Sequence, residues 1–210
     1  VRLMAGRPHR QGASYIVDVE LRDGVHDGRE VVHASAKAIL SEALESPPAF
    51  DAARTIKSGG FSGKIDHFYE NVLFHGMDLR GIRELIGLTD QGAAARLCTA
   101  PTPEQWMTEP LRSRWIADPL VLDSAFQLAI VWSYEQMGMG SLPGCFASYR
   151  QYCKSYPPGD ILAVMEVVEA GPQKLICDFK FLKENSLLAQ LKGYEATLSA
   201  SLLQAFQKTG

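Results

Sequence analysis

The chain has 210 residues, 46% of them hydrophobic and 21% charged, with a formal net charge of −3. That balance suits a globular protein with one sizeable core or two small ones, and it offers no electrostatic footprint for nucleic acid or an anionic membrane. No run of 18 apolar residues occurs and residues 1–6 lack an apolar signal core, so neither a membrane-spanning helix nor a secretory leader is expected and a cytoplasmic location is.

In chain order, residues 13–22 alternate as a strand and 30–40 give a second, with turn formers over 23–28 between them, a β-hairpin. A lone hairpin buries too little surface to stand by itself. Residues 41–63 carry Ser46-Pro47-Pro48 and Ser58-Gly59-Gly60 and read as a poor core former, with 46–63 the linker between two subdomains. Residues 65–73 space Ile65, Phe68, Tyr69 and Val72 as a short helix, with Asp66 at its cap or in its first turn. Strands are expected at 77–86 and 93–98, then loop over 101–110.

The longest helix is expected at 119–137. Asp118 suits its N-cap, Pro119 its first turn, and Gly138 and Gly140 end it. Leu122, Phe126, Ala129, Ile130 and Trp132 make it apolar on most sides, so it is buried. Strands follow at 145–152, 161–169, 174–183 and 188–198, joined by short turns, which is an antiparallel meander. One buried helix against such a sheet is an α+β layout.

Chemistry concentrates in two places. Asp123 lies among apolar helical neighbours, and Gln127, four residues on, shares its face. Burial of a carboxyl favours its protonated form and suits it to proton donation, while an amide beside it can orient the carboxyl or a bound acyl group. From the helix alone, a carboxylate that faces solvent or caps a loop is an equal reading. The second place is Phe74-His75-Gly76-Met77-Asp78-Leu79-Arg80-Gly81-Ile82, where Gly76 and Gly81 permit close backbone approach, as a substrate channel needs. An ordinary tight connection explains those glycines at least as well. No histidine has a Ser or Cys partner at a nucleophile spacing, and nucleotide-loop and HExxH motifs are absent. Cys98, Cys145, Cys153 and Cys177 contain no CxxC pair, so reduced thiols are expected rather than a metal site.

Asp118-Pro119-Leu120-Val121-Leu122-Asp123-Ser124-Ala125-Phe126-Gln127 resembles the helix motif (H/D)-P-x-x-L-D-x-x-x-(Q/H) of dehydratase domains in polyketide and polyunsaturated-fatty-acid synthases. Phe74 to Ile82 is similar to that family's Y-x-G-P-x-F-(Q/R)-G segment, with Phe74, Met77 and Leu79 replacing tyrosine, proline and phenylalanine. Leu142-Pro143 resembles its post-helix L-P segment, and Val31 to Ala36 the last strand of its first hotdog. The resemblance implies a double hotdog, with 1–45 closing an incomplete first hotdog and 64–210 forming the second.

It further implies elimination of water from a 3-hydroxyacyl thioester carried on acyl carrier protein. Asp123 is then the acid, Gln127 its support, and Phe74, His75, Gly76, Leu142 and Pro143 the lining of the acyl site. Neighbouring megasynthase domains are implied partners, a homodimer is compatible, and no cofactor or metal is implied. The family's base is the histidine of an H-x-x-x-G-x-x-x-x-P motif in the first hotdog. His9, His26, His33, His67 and His75 all fail that pattern, so the chain is expected to be truncated ahead of Val1 and to have little activity by itself. A non-catalytic double-hotdog module, a product-template cyclase and a hotdog thioesterase or acyl-binding domain stay open beside it.

Overall fold

The computed structural model describes residues 1–49 and 64–206. The chain divides into two compact units, Val1–Glu45 and Ser46–Gly210. Most of the expected linker, 46–63, lies outside the described residues.

The first unit is a four-stranded antiparallel sheet of β1 (Arg2–Ala5), β2 (His9–Gln11), β3 (Ser14–His26) and β4 (Arg29–Ser41). The hairpin strands run further than the sequence suggests, because Asp27 and Gly28 alone make the turn, at φ 51° and 76°. Two successive positive φ values match the twist of the flanking strands, and Asp-Gly is a preferred pair there. Short β1 and β2 share one edge of β3, and β4 takes the other. None of residues 1–45 is fully buried.

The second unit contains α1 (Ile65–Asn71), β5 (Ile82–Thr89), β6 (Gly92–Cys98), α2 (Pro103–Trp106) and α3 (Pro119–Met137). After them come β7 (Gly140–Cys145), β8 (Ser148–Gln151), β9 (Asp160–Ala170), β10 (Lys174–Lys183), β11 (Ser186–Ser199) and α4 (Ala200–Phe206). Its seven strands form one antiparallel sheet in the order β5-β6-β9-β10-β11-β7, with β8 also on β11. The α+β hotdog arrangement read from the sequence is thus present: Val121, Ala125, Leu128, Ala129 and Trp132 of α3 share a core with Leu97, Ile161, Met165, Phe179, Phe181 and Leu191 of the sheet.

The helix has the bounds its sequence specifies. Asp118 accepts from the backbone N–H groups of Leu120 and Val121 at 3.1 and 3.0 Å, so the cap satisfies donors that the first turn leaves open. It also accepts from Ala100 N–H at 3.0 Å, which ties the incoming loop to the helix start. Gly138 closes the other end at φ 64°, a conformation that glycine adopts without steric cost.

Three local readings are corrected. The strand expected from residue 77 begins only at Ile82; Met77–Leu79 is a 3₁₀ turn, closed by Leu79 N–H to Gly76 C=O at 3.0 Å. The strand expected over 145–152 is β8, shortened to Ser148–Gln151, and a separate strand, β7, precedes it over Gly140–Cys145. Gly193 sits at φ 62° in the partner strand β11, its N–H donates to Asp178 Oδ1 at 2.7 Å, and the pairing slips there. This is a bulge, and it breaks the ladder that one continuous strand would need. The loop expected over 101–110 contains the one-turn helix α2, whose Thr102 and Gln105 form a capping box.

Candidate active site

Asp123 lies one turn inside α3, and Gln127 one turn further along the same face. The two are joined directly: Gln127 Nε2 donates to Asp123 Oδ2 at 2.7 Å. Gln127 is fully buried, whereas the Asp123 side chain keeps 35% of its exposure. Asp123 thus falls between the buried and the solvent-facing readings that its helix leaves equal. Its carboxyl is reachable from outside, and the amide holds it from behind.

The segment before β5 comes back over this part of α3 because Gly81 permits it. A Cβ at Gly81 would stand 2.1 Å from Ser124 Oγ and 2.8 Å from Leu120 Cγ, so no side chain fits between the segment and the helix. Of the two readings of Gly81, the ordinary tight connection is the one the packing supports: the close approach is to the helix. A Cβ at Gly76 would meet nothing within 4 Å, so close packing does not explain that glycine.

With the segment so placed, the Leu79 carbonyl accepts from Gln127 Nε2 at 2.7 Å. His75 comes to Asp123, with Nε2 3.7 Å from Oδ2. That distance is beyond a direct hydrogen bond but close enough for each group to feel the other's charge. Burial holds the His75 imidazole below its ordinary value, and the Asp123 carboxylate pulls the other way. A lowered value keeps the ring neutral near pH 7. His75 is only 8% exposed, and its Nδ1 is buried without a hydrogen-bond partner among the described residues. Phe74 stacks on the imidazole at 4.3 Å between centroids and is itself exposed.

Of the residues singled out in the sequence, Asp123, Gln127, His75 and Phe74 are thus brought together by contacts of 4.3 Å or less. Leu142 and Pro143 stand on β7, paired with Thr197 and Ala196, with exposed side chains. A cavity of about 460 Å³ does open beside this region, but its lining includes Tyr69, Met77, Arg80, Cys98, Thr99 and Leu120, and neither Asp123 nor Gln127.

Tyr69 of α1 is readable from the sequence only as part of an apolar stripe. Its hydroxyl donates to Gln127 Oε1 at 2.8 Å and accepts from Ile82 N–H at 2.9 Å. The available signal is its burial, since a buried tyrosine hydroxyl needs a partner. No metal-holding group of three or more His, Cys, Asp or Glu occurs among the described residues.

Comparison with known proteins gives a concordant picture. Residues 47–203 match a family model described as the polyketide synthase dehydratase N-terminal domain. A polyunsaturated fatty acid synthase of Thraustochytrium sp. is 30% identical over 122 residues, 58% of this chain but only 4% of that protein. Among solved structures, the dehydratase domain from the CurK module of curacin polyketide synthase superposes with a TM-score of 0.64 at 20% identity, over 90% of this chain and 65% of that one. The dehydratase domain of a mycocerosic acid synthase-like polyketide synthase gives 0.67 at 17% identity, over 93% and 66%. With the fold shared and the family model covering most of its length, the chain belongs to the polyketide synthase dehydratase family.

Proposed function

We propose that this chain supplies the acid half of a dehydratase site, which eliminates water from a 3-hydroxyacyl thioester on an acyl carrier protein. The observation that carries the reading is the Asp123 carboxyl, partly exposed on a largely buried helix and gripped from behind by Gln127. In the reaction a base removes the α-proton, whose electrons form the new C=C bond as the Cβ–O bond breaks. Asp123 gives its proton to the departing hydroxyl, which leaves as water. The carboxylate that remains is steadied by the Gln127 N–H. His75 is too deeply enclosed for its Nδ1 to reach a substrate carbon, and its Nε2 faces the carboxyl, so it supports Asp123 and is not the base.

Residues 64–210 are read as the second hotdog, 1–45 as strands of the first and 46–63 as their connection. The matching family model is described as an N-terminal domain. The residues argue for the second half all the same, because the long helix carries Asp123 and no histidine here opens the H-x-x-x-G-x-x-x-x-P pattern of a first hotdog. Histidine-to-phenylalanine variants of the CurK and CurJ dehydratases are described as inactive, which fits a base of that kind in those proteins. Neighbouring synthase domains are proposed partners on the same ground as the carrier protein.

The test is Asp123→Asn, assayed for 3-hydroxyacyl thioester dehydration in a protein that supplies the base. The amide keeps the shape but has no proton to give, so the rate per folded molecule should fall about 10²–10⁴-fold with the melting temperature little changed. An unchanged rate with a lowered melting temperature would retire Asp123 as the acid.

A further inference from the structure

We infer that Tyr69 is a positioning residue for the Asp123 carboxyl, acting through Gln127, and that Asp123 Oδ1 is left as the oxygen that carries the transferable proton. The inference rests on the dehydratase reading for the word proton, but its geometry stands apart from it.

Hydrogen-bond polarity fixes the arrangement step by step. The Ile82 N–H can only donate, and it donates to the Tyr69 hydroxyl at 2.9 Å. The hydroxyl has one hydrogen, which then goes to Gln127 at 2.8 Å, and the Gln127 atom facing it must be the acceptor Oε1. From the other side the Leu79 carbonyl can only accept, and the Gln127 atom 2.7 Å from it must be Nε2. Two independent neighbours thus demand the same orientation of an amide that could otherwise turn over.

Both Nε2 hydrogens are then committed, one to Leu79 C=O and the other to Asp123 Oδ2 at 2.7 Å. Oδ2 is held as an acceptor, so a proton on this carboxyl belongs on Oδ1, which has no hydrogen bond among the described residues. Tyr69 is 3% exposed and Gln127 wholly buried, so water does not compete for these bonds. Burial also pushes the Tyr69 phenol up to about 12, which keeps its hydrogen in place at any working pH. Arg80 lies over the Tyr69 ring at 5.1 Å and packs against the ring instead of competing for the hydroxyl.

Tyr69→Phe removes one oxygen and tests the relay. In the active protein kcat should fall about 10-fold to 100-fold with KM within about twofold, as a displaced catalytic group predicts. In a Gln127→Ala background the same substitution should cost less than about twofold, because its route is gone. Independent multiplicative losses, or a lowered melting temperature with kcat and KM intact, would overturn the inference. A second readout needs no turnover: the ¹H–¹⁵N signals of the Gln127 side-chain amide should shift and exchange faster with water in Tyr69→Phe, and unmoved signals would overturn it. Where the phenylalanine variant does not fold, 3-fluorotyrosine at position 69 keeps the shape and strengthens the donor, and the same amide signals must move. Asp123→Asn separates the two failures, since a normal rate there removes the dehydratase reading while the amide signals in Tyr69→Phe still decide the positioning.

Discussion

At the scale of single residues, the site contrasts two neighbours of one carboxyl. Gln127 contributes a fixed N–H, while His75 contributes a ring whose charge depends on pH. His75 titrates below its ordinary 6.5 in the folded protein because burial penalises the imidazolium. As the pH falls through about 6.5, the unfolded chain takes up a proton that the folded chain resists, so stability is complete above that pH and declines below it. His75→Gln should lose less melting temperature than the parent between about pH 7.5 and about pH 5, measured side by side by calorimetry. Equal losses would mean that His75 is not the residue responsible. Asp123 with Gln127 was legible in the sequence because four residues along a helix is a local relation. His75 beside Asp123, and Tyr69 beside Gln127, are contacts across 48 and 58 positions of the chain (123 minus 75, and 127 minus 69). Only the fold makes them, so no spacing announces them.

Among the elements, α3 was the most readable, since its cap, its first-turn proline and its terminal glycine are all local chemistry. Asp118 does more than a cap requires, because it also holds Ala100 N–H. Burial pushes the Asp118 carboxyl up, against the pull of the backbone donors from Val121, Ala100 and Leu120. Asp118→Ala should destabilise the second unit by about 2 kcal/mol, the upper end for a cap, because the loop loses its bond as well. Denaturant midpoints check this, and Asp118→Asn should recover part of the loss. The elements misread were those set by tertiary pairing. Met77–Leu79 turns because Gly81 must reach α3, and β7 and β8 separate because of a bulge in the strand they pair with. Neither cause is written in the residues that change conformation.

For the molecule as a whole, the two units rest on different grounds. The second has a continuous core, with Leu128, Phe179, Phe181 and Tyr194 all within 1% of complete burial. Its helix was visible from an apolar run between local caps and its meander from apolar runs joined by short turns, which is why the α+β class was visible in the sequence, while the hotdog came from the motif resemblance. The first has ladder hydrogen bonds and no fully buried side chain. Its hairpin was legible from the alternation and the turn formers over 23–28, but the third and fourth strands were not, being three and four residues long.

A sheet with every side chain at least partly wet has little that must be broken before it opens. Its backbone amides should report that as time: those of β3 and β4 should trade hydrogen for deuterium at least about 100-fold faster than those of β9, β10 and β11. Equal protection across both sheets, seen in a mass-resolved labelling series, would contradict it. The Asp27-Gly28 hairpin then behaves as a shape held by its turn and its ladder, able to come apart and re-form many times while the Phe179 core stays closed.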